Sequence, residues 1–428
     1  MTAITADPAT DLTDYCDQLA DAALQASRSL SSSSGAQRNA TLKAMAEAIR
    51  AGKDALQQAN ALDLAAGREA GLSSAMLDRL ELTDARVAAM ADSVDQIADQ
   101  PDPVGKVIEG RVLDNGIRLQ KWRVPIGVVL IIYESRPNVT SDAAALCLKS
   151  GNATVLRGGK EALHSNRAIA ACVQQGIESA GLEPAAVQLV NTTDRAAVGS
   201  LLKMEGRIDL CIPRGGESLI RAVVEQAHIP VIKHYTGNCH VYVDADCDEQ
   251  MAIDLCVNAK TQRTGVCNAA ETLLFHAEAA ERGVLSKVCE ALAERGVEVR
   301  GDSRAQAGFA GAVTATDEDW ATEYLDKIVA VRVVDSLEQA AQHINHYGSK
   351  HTDAIVTNDL ATADRFVKTI DTANVFVNCS TRFSDGGQYG LGAEIGISTD
   401  KLHARGPMGA DDLTTTKWVA YGSGQTRQ

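Results

Sequence analysis

The run Val128-Val-Leu-Ile-Ile-Tyr133 is apolar without alternation, the pattern of a strand buried on both faces. The hundred residues after it repeat that logic. Residues 141–149 read as a helix, 153–156 as a strand, 163–180 as a helix, 187–190 as a strand, 195–204 as a helix, 208–212 as a strand, 217–227 as a helix and 230–233 as a strand. Continuous apolar strands alternating with helices predict a parallel sheet covered on both faces, and such sheets bind ligands at the carboxyl ends of their strands. A second alternating series begins at 240–244. It continues with helix 250–260, strand 272–275, helix 283–295, strand 328–334, helix 336–346, strand 354–356 and helix 361–369. The break between the two series falls near Tyr235-Thr-Gly237.

Outward from these units the patterns change. Residues 11–98 are rich in alanine, and Leu42, Met45 and Ile49, then Leu56, Leu62 and Leu64, recur at roughly helical spacing, which predicts a helical N-terminal layer broken at 31–35. Pro101-Asp-Pro103 ends it. Asp114-Asn115-Gly116 between Arg111-Val-Leu113 and Ile117-Arg-Leu119 predicts a type I′ hairpin. A lone hairpin is marginal in water, so it is expected to pair elsewhere, with a neighbouring subunit as the natural place. Residues 384–409 are loop-rich with many glycines.

A chain of 428 residues, 45% hydrophobic and 23% charged, can bury a sizeable core. Its net charge of -15 opposes nonspecific binding to nucleic acid or an anionic membrane. The first residues carry acids and no basic n-region, and no apolar stretch has transmembrane length, so a cytoplasmic protein is expected. The ten cysteines are scattered at 16, 147, 172, 211, 239, 247, 256, 267, 289 and 379. Without a Cys-x-x-Cys pair or a tight cluster with histidine, they read as reduced thiols and predict no metal site.

Three stretches carry chemistry. Asn258-Ala-Lys-Thr-Gln-Arg-Thr-Gly-Val-Cys267 puts a thiol in a turn between helix and strand, and Lys260 and Arg263 would favour its thiolate. A small buried hydrophobe is the alternative reading of Cys267. Arg157-Gly158-Gly159-Lys160 and Arg214-Gly215-Gly216-Glu217 each follow a strand, and glycine with arginine at a helix start suits a phosphate. Neither has Gly-x-Gly-x-x-Gly spacing, so each alone is equally a turn with solvated charges; together they favour a nucleotide.

A thiol in a second α/β unit behind a nucleotide-type unit resembles the aldehyde dehydrogenase superfamily. Within it the chain is most similar to the gamma-glutamyl phosphate reductases, or glutamate-5-semialdehyde dehydrogenases, of proline biosynthesis. The resemblance rests on Pro125-Ile-Gly-Val128, Tyr133-Glu-Ser-Arg-Pro-Asn138, Arg157-Gly-Gly-Lys-Glu161, Pro213-Arg-Gly-Gly216, Asn258-Ala-Lys260 and Val266-Cys-Asn-Ala269. Ala340-Ala-Gln-His-Ile-Asn-His-Tyr-Gly-Ser-Lys-His-Thr-Asp353 and Val377-Asn-Cys-Ser-Thr-Arg-Phe-Ser-Asp-Gly386 are its most specific parts. It implies an aldehyde dehydrogenase-like α/β fold. Residues 1–106 with 125–235 would bind nucleotide, 236–372 would be catalytic, and 107–124 with 373–428 would form an oligomerisation hairpin and arm.

The resemblance further implies that Cys267 attacks glutamyl 5-phosphate to give a thioester, which NADPH reduces to glutamate 5-semialdehyde. Ordinary relatives carry a glutamate in Glu-Leu-Gly-Gly-Lys to activate water; the matching His234-Tyr-Thr-Gly-Asn238 has no carboxylate, which protects a thioester meant for hydride. Lys160, where relatives that use NAD often place glutamate, together with Arg157 suits the 2′-phosphate of NADP. By the same resemblance Asn138 supplies the oxyanion donor, Glu323 holds the nicotinamide ribose, and Lys260, Arg263, Ser380, Thr381 and Arg382 hold substrate. His343, His346 and His351 are expected to pack rather than bind metal, since no carboxylate or thiol completes their set. A homodimer or homotetramer is implied, with glutamate 5-kinase supplying the acyl phosphate. The main alternative is an acylating aldehyde dehydrogenase that uses a coenzyme A thioester; a cysteine hydrolase and a noncatalytic assembly protein are further rivals.

Overall fold

The computed structural model describes residues 11–427, the side chain of Ala75 excepted, so Met1 to Thr10 of the acidic start lie outside the described residues. Two compact units form. Among the described residues, one comprises 11–233, 390–396 and 408–427; the other comprises 234–389 and 397–407.

In the first unit, five helices run as Leu12–Ser31, Gly35–Ala51, Lys53–Glu69, Ser74–Leu80 and Asp84–Asp99. Asp11, Ser34, Ser73 and Thr83 cap four of them by accepting a backbone N–H two or three residues on, as short polar side chains do. Leu42, Met45 and Ile49 are wholly buried, and Gly35–Ala51 packs on Asp84–Asp99 and on the helix Leu163–Ser179. That last crossing is close because of Gly176: a Cβ there would stand 2.6 Å from the backbone of Met45. Two strands, β1 (Val107–Val112) and β2 (Arg118–Pro125), pair antiparallel, and the chain's last strand, Thr414–Tyr421, adds to the far side of β2. Then come β3 (Val128–Tyr133), β4 (Ala153–Arg157), β5 (Val187–Leu189) and β6 (Leu210–Arg214). They make a parallel sheet in the order β5-β4-β3-β6, with every residue of β3 buried.

The second unit holds β7 (Cys239–Val243), β8 (Ala270–His276), β9 (Glu298–Gly301), β10 (Val313–Thr314), β11 (Ile328–Val334), β12 (Thr352–Val356) and β13 (Asn374–Val377). Their parallel seven-stranded sheet has the order β10-β9-β11-β8-β7-β12-β13. Leu273, Phe275, Val241 and Val331 bury one face, while Tyr242, Leu274 and Ile355 with Phe366 bury the other. A short ladder, β14 (Ile397–Ser398) with β15 (Gly406–Pro407), completes this unit, and the strand Thr414–Tyr421 of the first unit is β16.

Three local expectations change. Residues 230–233 give only a bridge from Val231 to Cys211, because Pro230 has no N–H to continue a ladder. The edge strands β10, β13 and β16, and β9 beside β10, went unpredicted, being short or opening on polar residues. The hairpin turn is not type I′: Gly116 alone takes a positive φ, 86°, and its N–H closes on Leu113 O at 2.8 Å. A single left-handed glycine after the turn marks a three-residue loop with a bulge. Among the described residues no helix is long and apolar enough to cross a membrane.

Candidate functional site

The first unit places a cleft of about 370 Å³ at the carboxyl ends of its strands, where parallel sheets take ligands. Arg157, Gly159 and Lys160 line it, as do Glu134, Glu161, Thr193, Arg195 and Ser218, none of which the sequence singled out. The Arg157 guanidinium donates to Gly158 O and Thr193 O, while its Nε is buried without a partner. Burial lowers its pKa, and the neighbouring Arg195 pushes the same way. Three cations on one rim, one with an unspent donor, fit an anionic ligand group. The glycines let side chains close in: a Cβ on Gly158 would stand 2.0 Å from the Asn166 amide and one on Gly159 2.0 Å from the Glu161 carboxylate, so either would have to be pushed aside.

The second glycine turn is used differently. The Gly216 N–H, which opens the helix Glu217–Gln226, donates to Glu134 Oε2 at 3.0 Å, and Arg214 faces Glu394. Arg214, Gly215 and Gly216 therefore do not line the cleft; Glu134 holds the position expected for a phosphate, since carboxylates satisfy helix N-termini as anions do. At the end of β3, Ser135 sits at a φ of 45°, fixed by its N–H and hydroxyl donating to Glu161 Oε1. Asn138 starts the helix Val139–Lys149 and gives its amide to Asp142, whose carboxyl burial raises to about 6.

In the second unit, Cys267 lies half-buried in the turn between the helix Glu249–Thr261 and β8. The turn is stapled from both sides. Asn268 Nδ2 donates to Ser384 O and Thr381 Oγ1 donates to Asn268 O, both at 2.7 Å. Cys239 Sγ donates to Cys267 O at 3.1 Å, and burial holds the Cys239 thiol well above its ordinary pKa. Gly237 lies so close that a Cβ would stand 2.0 Å from Cys267 O, so only glycine fits. This approach brings His234 to the thiol, and His351 comes in from the start of β12. Ligand atoms of His234, Cys267 and His351 all lie within 4.8 Å of one another. Arg382 feels the Cys267 and Arg263 charges, and its Nε donates to Gln262.

Several expected substrate groups prove to be internal. Lys260 is wholly buried with its ammonium 2.5 Å from Glu271, itself wholly buried. Glu271 also accepts the N–H of Leu325, a residue at φ 54°, so the pair fixes the turn that carries Glu323. Burial raises Glu271 to about 7 against the pull of Lys260. Thr381 is spent on Asn268, and Ser380 caps Arg382 N, which leaves Arg382 as the expected cation whose charge couples to Cys267, with Arg263 acting on Arg382. The signature histidines also divide. His343 packs against Trp320, Tyr347 and His240, and burial lowers its pKa to about 2, so it is neutral. His351 instead stands beside a thiol, contrary to the expectation that no thiol completes a set with it. Only long-range strand order joins 234, 267 and 351, so local patterns could not have assembled them.

The aldehyde dehydrogenase family pattern matches residues 4–326. A gamma-glutamyl phosphate reductase from Thermotoga maritima is 41% identical over 96% of this chain and 100% of its own, with a TM-score of 0.94. The gamma-glutamyl phosphate reductase of Saccharomyces cerevisiae is 33% identical over 96% of this chain and 98% of its own, with a TM-score of 0.52. An acetylating aldehyde dehydrogenase from Geobacillus thermoglucosidasius, 19% identical over 97% and 98% of the two chains, shares the fold at a TM-score of 0.69.

Proposed function

The chain belongs to the aldehyde dehydrogenase family, and from that premise we propose that it reduces L-glutamyl 5-phosphate to L-glutamate 5-semialdehyde and phosphate with NADPH. The observation that carries this reading is a half-buried thiol, Cys267, whose charge couples to Arg382, on a chain 41% identical to a gamma-glutamyl phosphate reductase.

The Cys267 thiolate attacks the acyl carbon, phosphate departs, and a thioester is left on the sulfur. Arg382, whose charge reaches the thiol, and Arg263, whose charge reaches Arg382, suit the substrate's phosphate and carboxylate. Nicotinamide, when bound, supplies the hydride that turns the thioester into a thiohemiacetal. That alkoxide needs donors, and with Asn138 engaged by Asp142 we assign the first of them to the Cys267 backbone N–H. Collapse of the thiohemiacetal releases the aldehyde and returns the thiolate. The glutamate that ordinary relatives use to activate water against the thioester has no counterpart in His234-Tyr-Thr-Gly-Asn238.

The cleft supports NADP over NAD because Arg157, Lys160 and Arg195 put three cations on one rim, and Arg157 Nε has a buried donor to spend on a 2′-phosphate. Glu323, on the turn fixed by Glu271, is assigned to the nicotinamide ribose. We assign the antiparallel sheet β1-β2-β16 to homo-oligomerisation and the chain to the cytoplasm, with a glutamate 5-kinase supplying its unstable substrate.

The reverse reaction tests this. NADP reduction by glutamate 5-semialdehyde is followed with and without inorganic phosphate, with NAD in parallel, for the wild type and Cys267→Ala. Phosphate-dependent reduction, faster with NADP and lost in the variant, is expected. Reduction that ignores phosphate, or that survives in Cys267→Ala, sinks the proposal.

A further inference from the structure

We propose that His234, Cys267 and His351 form a reversible binding site for a thiophilic divalent ion of the zinc type, which blocks the thiol while it is bound. Ligand atoms of the three residues already lie within 4.8 Å of one another. Tetrahedral zinc, with bonds of about 2.0–2.3 Å, needs ligand atoms about 3.3–3.6 Å apart, so rotamer adjustment of roughly 1 Å closes the set. The two imidazoles meet edge-on, with centroids 5.5 Å apart and planes at 65°, so both can turn a nitrogen to a common point beside the sulfur.

The surroundings have the features of a ligand set. His351 is buried, and its Nδ1 meets the Thr352 hydroxyl at 2.9 Å. Thr352 in turn donates to Ser384 Oγ at 2.9 Å, so its oxygen accepts from Nδ1–H and the imidazole keeps its lone pair on Nε2. An outer hydrogen bond of this kind orients ligating histidines. Cys239 stays outside the set, its thiol committed to Cys267 O. Three protein ligands with a fourth position for water describe an exchangeable site, and one sulfur with two nitrogens selects zinc-type ions over magnesium or calcium.

Binding is a proton exchange without redox change. The Cys267 S–H bond breaks, a sulfur–metal bond forms, two neutral imidazoles add, and one proton goes to solvent. The sulfur lone pair then points at the metal and cannot attack an acyl carbon. This consequence rests on Cys267 being the nucleophile; the binding does not.

The full chain, stripped of metal, is titrated with Co²⁺ and then Zn²⁺. The expected result is one equivalent of cobalt giving a sulfur-to-cobalt charge-transfer band and strong tetrahedral visible bands, displaced by zinc and absent in Cys267→Ala. His234→Gln, a change at a half-buried position, should weaken binding at least tenfold, as should His351→Gln if circular dichroism shows it folded. Zinc should also protect Cys267 from iodoacetamide, and a chelator should restore labelling. A charge-transfer band that persists in Cys267→Ala, or full affinity in His234→Gln, overturns the site. Binding and protection without loss of aldehyde-dependent NADP reduction would instead refute the nucleophile and leave the metal site standing.

Discussion

At the scale of single residues, burial reassigns the most prominent cation of the thiol's own stretch. Lys260 has no exposed surface, and its partner Glu271 has none either. Its work is therefore positional: it neutralises Glu271, which holds the Leu325 N–H and with it the turn of Glu323. Lys260→Ala leaves a buried carboxylate alone, which costs on the order of 3–5 kcal/mol. Urea unfolding at pH 8 should show that loss. It should shrink at pH 5.5, where the orphaned carboxyl takes up a proton. Lys260→Met with Glu271→Leu should recover most of it, because a packed apolar pair replaces a buried ion pair at little cost. A near-normal unfolding midpoint with only a raised KM for phosphate would return Lys260 to the substrate. Cys267 itself was legible, since a thiol in a turn after Asn-Ala-Lys is a local pattern. His234 and His351 were not, because burial and neighbourhood are properties of the folded sheet.

At the scale of elements, apolar strands alternating with helices were readable because a strand buried on both faces has no polar positions to spend. The edges were not. β13, at one edge, is four residues long and starts on the polar Asn374, and β9, next to the short edge strand β10, carries Glu298 and Arg300 among its four. The loop after β10 was equally opaque, although one side chain organises it. Asp319, buried, accepts from Thr316 N and Oγ1, Arg300 Nη1 and Tyr324 Oη. Burial pushes its pKa up, but these four hydrogen bonds prevail and hold it at about 2 against an ordinary 3.8. A depressed carboxylate stabilises the fold above its unfolded pKa and loses that contribution as pH falls through the folded one. The contribution is about 2 kcal/mol, present above about pH 4 and gone near pH 2. Asp319→Asn should thus lower stability by about that much at pH 7 and flatten the loss between pH 4 and pH 2. An acid limb identical to the wild type's would show that Asp319 does not drive it.

At the scale of the whole molecule, one sheet has too little to pack on. β1 is exposed at all six positions, with Val112 at 67%, Val107 at 47% and Ile108 at 43%, and Trp418 and Tyr421 stand out from β16. The cations Arg111 and Lys121 both lie over the Trp418 ring, which fixes that aromatic on one face of the sheet. Three strands with neither face buried and an apolar edge strand do not persist alone in water, and an open edge is a template for another chain. The sequence showed the hairpin but not its third strand, because Thr414–Tyr421 opens on Thr-Thr-Thr-Lys and pairs with a β2 far earlier in the chain, a partner no local pattern names. These exposures support the proposed homo-oligomer closed through this sheet. In a two-fold interface each residue counts twice. Burying the exposed half of an Ile and a Val contributes roughly 1.5–3 kcal/mol per protomer, so Ile108→Lys with Val112→Lys should weaken association at least ~10²-fold. Sedimentation of the double variant should then show monomers at concentrations where the wild type is assembled. Circular dichroism should stay unchanged, because neither side chain supports a core of its own chain. A wild type that sediments as a monomer, or a double variant that stays assembled, would remove this sheet from the interface and leave its exposed apolar edge without a partner.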